Sequence, residues 1–321
     1  MATSQPARAA RAAASGAPAR RFSATPYLFV LPHLLFFAAF LGYPFFYGIY
    51  ISLFDFDFLR PEYRPFVGFQ NYANLLWNRS SIQFGDFWQS VANTARFLLY
   101  SVPPLVIGAL LLAVLLNGRY RGRNLFRGLY FAPYALSVTV AAVLWRWLFE
   151  QGGLIDSYMQ RLGLQSVSWL GTQPWAWLAI TICTVWWTIG FNTVIFLAAL
   201  QDIPDTLYEA ASIDGASWWR QLFSITLPLL RPVALPAVIL SAIAQFQMFN
   251  TVWLMTKGGP VQRVGQPGAT ELLLVWAYNQ GFQGAQRFGL VSAFAIVVFI
   301  ILLGITALYI RVTNATKGVY E

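Results

Sequence analysis

The sequence predicts an all-α, polytopic membrane protein with six transmembrane helices and both termini in the cytoplasm. Three observations carry the prediction. Of the 321 residues, 58% are hydrophobic and only 10% charged, against roughly 25% charged in soluble domains. The apolar residues fall in blocks, several of them longer than the roughly 20 residues a helix needs to cross a bilayer. The basic residues alternate from one side to the other, as the positive-inside rule requires. Twelve Lys and Arg lie in the segments assigned inside and seven in those assigned outside, with Arg96 and Arg146 within spans. The asymmetry is strongest in the short 117–123 loop, which holds Arg119, Arg121 and Arg123.

The chain begins with residues 1–25, rich in Ala, Arg, Ser and Pro. They lack apolar periodicity and read as a disordered cytoplasmic tail, whose arginines face solvent or anionic lipid. Residues 27–54 form the first span. A secretory signal has a shorter apolar core and a small-residue cleavage site; no such site comes after it, so the helix is read as retained. The first outer loop contains FVGFQNYANLL, whose aromatics suit a short helix packed on the outer face. Further spans are expected at 91–116, 125–149, 174–200, 229–256 and 288–310. Pro228, Pro232 and Pro236 recur every four residues at the start of the fifth. Each removes a backbone hydrogen bond, which predicts a bent or mechanically soft end. The sequence KGGP, residues 257–260, should end that span sharply, because Gly tolerates unusual φ and Pro cannot continue a helix.

Several classes of chemistry are excluded. No G-x-x-x-x-G-K-[ST] run occurs, so the chain has no P-loop of its own. The single histidine, His33, and single cysteine, Cys183, rule out a His/Cys metal cluster and an internal disulfide. Cys183 reads as a small buried hydrophobe and His33 as a packing residue. The ionisable groups within spans are His33, Arg96 and Arg146, with no buried carboxylate relay of the kind ion-coupled pumps use. Both arginines read as snorkelling near span ends. Nothing resembles a catalytic constellation, and no cofactor or metal is called for. The net charge of +9 tracks membrane sidedness, which argues against nucleic acid as a partner.

One connection is too specific for a plain loop: EAASIDGASWWRQLFSITLP, residues 209–228. Thr206 and Glu209 have the spacing of a capping box. Residues 207–213 then form a short helix and Asp214-Gly215 a turn. Ser217 caps a second helix in which Trp218, Leu222 and Ile225 share a face. On physics alone this is either an amphipathic interfacial element or a docking knob for a cytoplasmic partner. The pattern Glu209-Ala210-Ala211, Gly215, Ile225, Leu227 and Pro228 resembles the signature loop, or EAA motif, of ABC importer permeases. The likeness extends along nearly the whole chain. YLFVLPHLLFFAAFLGYPFFYGIYISLFDFDF, FVGFQNYANLL, LQDIPDTLYEAASIDGASWW and FNTVWLMTKGGP are similar to carbohydrate-importer permeases of the maltose and maltodextrin branch, to the first of the two permease subunits. Some maltose permeases carry extra spans and a large outer insertion; this chain has neither.

The resemblance implies a type I ABC importer permease fold in a prokaryotic plasma (inner) membrane. It implies that the cytoplasmic loop 202–228 is a coupling helix, with Glu209, Ala210, Ala211, Asp214 and Gly215 meeting the ATPase. The implied partners are a second related permease, two ATP-binding cassette ATPase subunits, an extracytoplasmic sugar-binding protein and membrane lipid. The fourth and fifth spans supply polar side chains that would be costly in a bundle interior without partners. Trp186, Gly190 and Thr193 share one helical face; Ser241, Gln245 and Met248 share another. By aligned position these six correspond to sugar contacts in the maltose branch, with the residue types at Trp186, Thr193 and Met248 changed. Interhelical hydrogen bonding or packing is the bland alternative for each. The expected function is ATP-driven import of maltose, a malto-oligosaccharide or a related glycoside. Glycerol phosphate is the competing solute within the class, but it calls for central cations, and these two spans hold none apart from Arg231 at the cytoplasmic end. An ATP-independent carrier and a membrane enzyme are the rivals from other classes.

Overall fold

The computed structural model describes residues 25–118, 121–261, 266–283 and 286–313. The N-terminal tail expected to be disordered, together with Arg119, Arg263 and Lys317, lies outside the described residues. Two units are present, Met1–Tyr50 and Ile51–Glu321.

In the first unit, α1 (Thr25–Phe37) passes through a π-helical turn (Ala38–Gly42) into α2 (Tyr43–Ile51). The Tyr43 N–H reaches back to Ala38 O, one residue further than an α-helical bond, just before Pro44, which has no N–H to give. The stretch Leu28–Ile51 is long and apolar enough to cross a membrane. His33, read as a packing residue, is exposed within this chain.

In the second unit, α3 (Gln70–Leu76) is the short helix expected from FVGFQNYANLL. Asn71, buried, donates to Ser52 O at 2.8 Å and Phe54 O at 3.0 Å. Helix α4 (Ile82–Asn117) has 36 residues and so runs about 54 Å. It begins nine residues before the predicted second span, which accounts for about 14 Å of its excess over a hydrocarbon core of about 30 Å.

The third span is not the straight helix expected over 125–149. It is a pair, α5 (Arg123–Ala135) and α6 (Val138–Phe149), with a 96° bend between Arg123–Ala135 and Val138–Arg161. Pro133 supplies the cause, since it removes a backbone donor and crowds the preceding turn. Leu136 then turns extended, and Ser137 restarts the chain by accepting from Thr139 N at 3.3 Å. Helix α7 (Leu154–Arg161) comes next, then α8 (Trp175–Gln201). Beyond α9 (Asp205–Ile213), the run Trp218–Phe246 counts as one 29-residue crossing. It comprises α10 (Trp218–Gln221), a π turn (Leu222–Thr226) and α11 (Leu227–Phe246), with Pro232 and Pro236 inside. The fifth span therefore ends at Phe246 rather than near residue 256, and a separate α12 (Asn250–Met255) precedes the KGGP turn. The stretch taken as an outer loop after it contains α13 (Leu273–Phe282), with Leu273, Val275 and Trp276 buried. Helix α14 (Phe288–Thr313) completes the chain. Among the described residues five helices are long and apolar enough to span a membrane, six with the bent pair taken as one span. Among the described residues there is no strand, only the isolated bridges Phe54–Phe66 and Asp57–Arg287.

Three apolar clusters hold the second unit together. One joins Phe97, Ile180, Cys183 and Val252, and Cys183 is buried as expected. A second gathers Trp276 and Phe294 around Phe87. A third packs Ala109 and Ala113 of α4 against Phe196 of α8 and Leu230 of α11. The 267–273 segment is tied to α4 by polar bonds. Gln89 donates to Pro267 O, Asn93 donates to both Gly268 O and Glu271 O, and Thr94 Oγ1 accepts from Leu273 N. The Glu271 carboxylate accepts from Gly268 N at 2.9 Å and from Asn279 Nδ2 at 2.6 Å. Burial pushes that carboxyl above its ordinary range, and the two hydrogen bonds pull against the shift. Replacing Asn93 with alanine leaves two buried carbonyls without their side-chain donor. Asn93→Ala should cost about 1–3 kcal/mol, visible as a lower thermal unfolding midpoint of the detergent-solubilised protein.

Candidate functional site

Two features stand out as candidate sites, one in the α8–α11 connection and one between α8 and α11 themselves. In the connection, α9 begins at Asp205 after Pro204, and no side chain caps it. The capping box expected from Thr206 and Glu209 is not formed, because Pro204 lets the helix start one residue earlier and draws Thr206 inside it. The C-terminus explains Gly215. Its φ is +75°, Ala216 N bonds to Ala211 O at 2.9 Å and Gly215 N to Ser212 O at 3.1 Å. That pair of bonds is a Schellman stop, which needs a left-handed residue at this position. A Cβ on Gly215 would meet nothing within 4 Å, so conformation, not space, makes glycine the fit. Ser217 caps α10 as expected, accepting from Arg220 N at 3.4 Å. The two short helices are braced together. Gln221 Nε2 donates to Ser212 Oγ at 2.9 Å, and Tyr208 Oη and Thr226 Oγ1 lie 2.9 Å apart. Glu209, Ala210, Asp214 and Gly215 are exposed and Ala211 is half-buried. Ile213 is 87% exposed, and Trp218, Trp219 and Phe223, also exposed, pack ring to ring.

Between α8 and α11 lies a cavity of about 320 Å³, lined by Thr188 and Asn192 of α8 and by Ser241 and Gln245 of α11. Tyr134, Trp187 and Phe191 add aromatic faces. Ser241 Oγ donates to Asn192 Oδ1 at 3.1 Å, and Asn192 Nδ2 donates to Thr188 O at 3.3 Å. Gln245 is 2% exposed, and its Oε1 has no hydrogen-bond partner among the described residues. No charged side chain lines the cavity. The rest of the wall is aliphatic, from Leu105, Ile195, Ala237, Leu240 and Ala244; the few amides and hydroxyls, with the ring faces, can hold a neutral polyhydroxylated molecule by hydrogen bonds and stacking.

The six residues singled out in the sequence are not all brought together. Ser241 and Gln245 line the cavity. Trp186 borders a separate apolar cavity and meets Trp145 edge-on at 5.6 Å. Gly190 faces α5, where an added Cβ would stand 2.0 Å from Tyr130 O. Thr193 is buried and returns its hydroxyl to Ile189 O at 2.7 Å. Met248 lies beyond the end of α11, in the cluster with Phe97 and Val252, so its i+7 position runs off the helix. The α8 side chains that do face Ser241 and Gln245 are Trp187, Thr188, Phe191 and Asn192. They form two adjacent i, i+4 rows, Trp187 and Phe191 one residue and Thr188 and Asn192 two residues further round the helix than the face selected from sequence. That register was the available signal. Trp187 has a second task, donating through Nε1 to Leu136 O at 3.0 Å, the carbonyl freed at the α5–α6 bend.

Long apolar crossings, an uncharged cavity between two of them and a braced helical knob at the end of those spans fit a solute-transport subunit. Similarity to known proteins makes the class specific. Residues 79–315 match the family described as "Binding-protein-dependent transport system inner membrane component". The trehalose/maltose transport system permease protein MalF of Thermococcus litoralis is 38% identical over 288 residues, covering 89% of this chain and 92% of that one. The sulfoquinovosyl glycerol transport system permease protein SmoG of Agrobacterium fabrum is 32% identical over 288 residues, covering 89% of each. A crystal structure of a bacterial alginate ABC transporter, in complex with an alginate pentasaccharide-bound periplasmic protein, has a chain of the same fold. It matches with a TM-score of 0.72 at 22% identity, over 91% of this chain and 95% of that one. The chain belongs to the binding-protein-dependent permease family: it is an ABC transporter permease of the inner membrane, a transport component and not an enzyme.

Two substitutions check the local geometry. Gly190→Val would drive a side chain into the α5 backbone, and should lower stability by about 3 kcal/mol, at the upper end of overpacking costs, read by thermal unfolding of the detergent-solubilised protein. At Gly215, Asn should be tolerated and Val should cost about 1–2 kcal/mol, because only the former visits the left-handed region readily. Protease susceptibility of the 202–228 loop would register the difference.

Proposed function

We propose that this chain is one of two related permease subunits of an ABC importer for a neutral oligosaccharide, of the maltose, malto-oligosaccharide or related glycoside class. The observation that carries the reading is the cavity between α8 and α11, which offers Ser241, Asn192, Thr188 and a buried Gln245 amide beside three aromatic rings and holds no charge. An anionic solute, glycerol phosphate included, would call for a cation there. The relatives name different solutes, so the sugar rests on this lining. Ser241 and Gln245 are the groups assigned to hydrogen-bond the sugar, with Trp187 and Phe191 for stacking. Gly190, Thr193, Trp186 and Met248, proposed from sequence as further contacts, lie outside this lining.

The same reading makes the 202–228 loop the coupling helix. Its exposed apolar tip at Ile213, together with Glu209, Asp214 and the Gly215 turn, would seat in one of two ATPase subunits, and Ala210 and Ala211 would allow close approach. That places residues 1–25, the α9–α10 knob and the C-terminus in the cytoplasm, with residues 26–321 forming the transmembrane permease domain. A sugar-binding protein outside would deliver the solute, and ATP binding by the partner subunits would supply the energy.

The test is uptake of radiolabelled maltose by proteoliposomes containing the complete assembly. Uptake should require ATP on the knob side. Gln245→Ala should reduce it about tenfold, the loss expected for one or two hydrogen bonds to the sugar, while basal ATP hydrolysis persists. Uptake that proceeds without ATP, or that ignores Gln245→Ala, would overturn the reading.

A further inference from the structure

A second, larger space lies on another side of α8. Two cavities of about 660 and 670 Å³ share Tyr100, Leu178 and Thr181, and so form one groove between α4, α5 and α8. Its two ends differ in chemistry. One carries Arg96 and Gln173. The other is walled by Leu112, Ile182 and Ile189. Between them the buried hydroxyl of Thr181 has no hydrogen-bond partner among the described residues.

The groove has the length of a lipid. From Arg96 to Leu112, α4 rises about 24 Å, close to the roughly 20 Å of one leaflet with its headgroup layer. It also has the charge of a lipid site. Arg96 is exposed, and its guanidinium donates to Asn93 Oδ1 at 3.3 Å; among the described residues no carboxylate is paired with it. A guanidinium carries five N–H donors, so it can still meet a phosphodiester in the fork geometry that suits it. A neighbouring protein helix laid in the same groove would leave that charge facing apolar side chains unless it brought an acid of its own.

We propose that this groove holds one anionic phospholipid, with the phosphodiester against Arg96 and Gln173 and an acyl chain along Leu178, Ile182 and Ile189. The inference is independent of which solute the α8–α11 cavity takes. The experiment is native mass spectrometry of the intact detergent-purified assembly, titrated with dioleoyl phosphatidylglycerol or dioleoyl phosphatidylcholine. Phosphatidylglycerol should give the tighter adduct. Arg96→Gln should weaken that adduct about fivefold, the share expected of one basic residue near a lipid surface, and leave phosphatidylcholine unchanged. Ile182→Trp, which fills the groove without touching the charge, should remove the preferred adduct and serves alone if Arg96→Gln is not recovered. Equal binding of the two lipids, an adduct indifferent to Ile182→Trp, or disulfide cross-linking of Leu178→Cys to a cysteine on a neighbouring subunit would overturn the proposal.

Discussion

A peptide group without a hydrogen-bond partner costs several kcal/mol in hydrocarbon, and the irregular parts of this bundle lie where a particular side chain meets that demand. The α5–α6 bend frees the Leu136 carbonyl, and the Trp187 indole takes it up. The non-helical residues 266–272 before α13 present Gly268 O and Glu271 O to the interior, and Asn93 of α4 binds both. Ser137 and Ser217 cap the helices that restart after breaks. The polar residues of the spans are therefore mostly committed to backbone, and this sets apart the few that are not. Gln245, buried with an unpartnered Oε1, is the clearest of those.

Much of this architecture was legible in the sequence, for reasons that differ by element. The long apolar blocks fixed five crossing helices because nothing but a helix satisfies twenty apolar residues in lipid. The α3 and α10 segments were readable from aromatic content and from Ser217. The bend in the third span was not, although Pro133 with Ser137 four residues later is a stop and a restart inside one apolar run. Hydropathy averages over such a signal. The α13 helix was missed for the opposite reason. Its Leu-Leu-Leu-Val-Trp core is apolar enough to bury but too short to cross, so length placed it in a loop.

The candidate cavity was half legible. Sequence drew attention to α8 and α11 because both carry amides and hydroxyls in otherwise apolar runs, and Ser241 and Gln245 do share a face. On α8 the choice fell on the wrong face. A rotation of roughly 140° separates Trp186, Gly190 and Thr193 from Trp187, Thr188 and Phe191, and sequence alone carries no mark of which stripe meets the neighbouring helix. Gly190 would have been informative if read as a site of close approach, since it marks the stripe pressed against α5. The stripe beside it is then the one free to face a cavity.

The stop at Gly215 has a mechanical consequence. Its angle is set by backbone handedness and by two main-chain bonds, and the braces from Gln221 and Tyr208 tie α9 to α10 and to the π turn beyond it. Such a joint has little compliance: a load placed on the tip at Ile213 is not absorbed as local flexing but emerges as rotation of the whole elbow. That elbow opens directly into the run Trp218–Phe246, in which Gln245 is the penultimate residue. The run covers about 43 Å. The tip and the buried amide are thus opposite ends of one lever, and the π turn at Leu222–Thr226 is the place along it where torque could be traded for a change in helical phase.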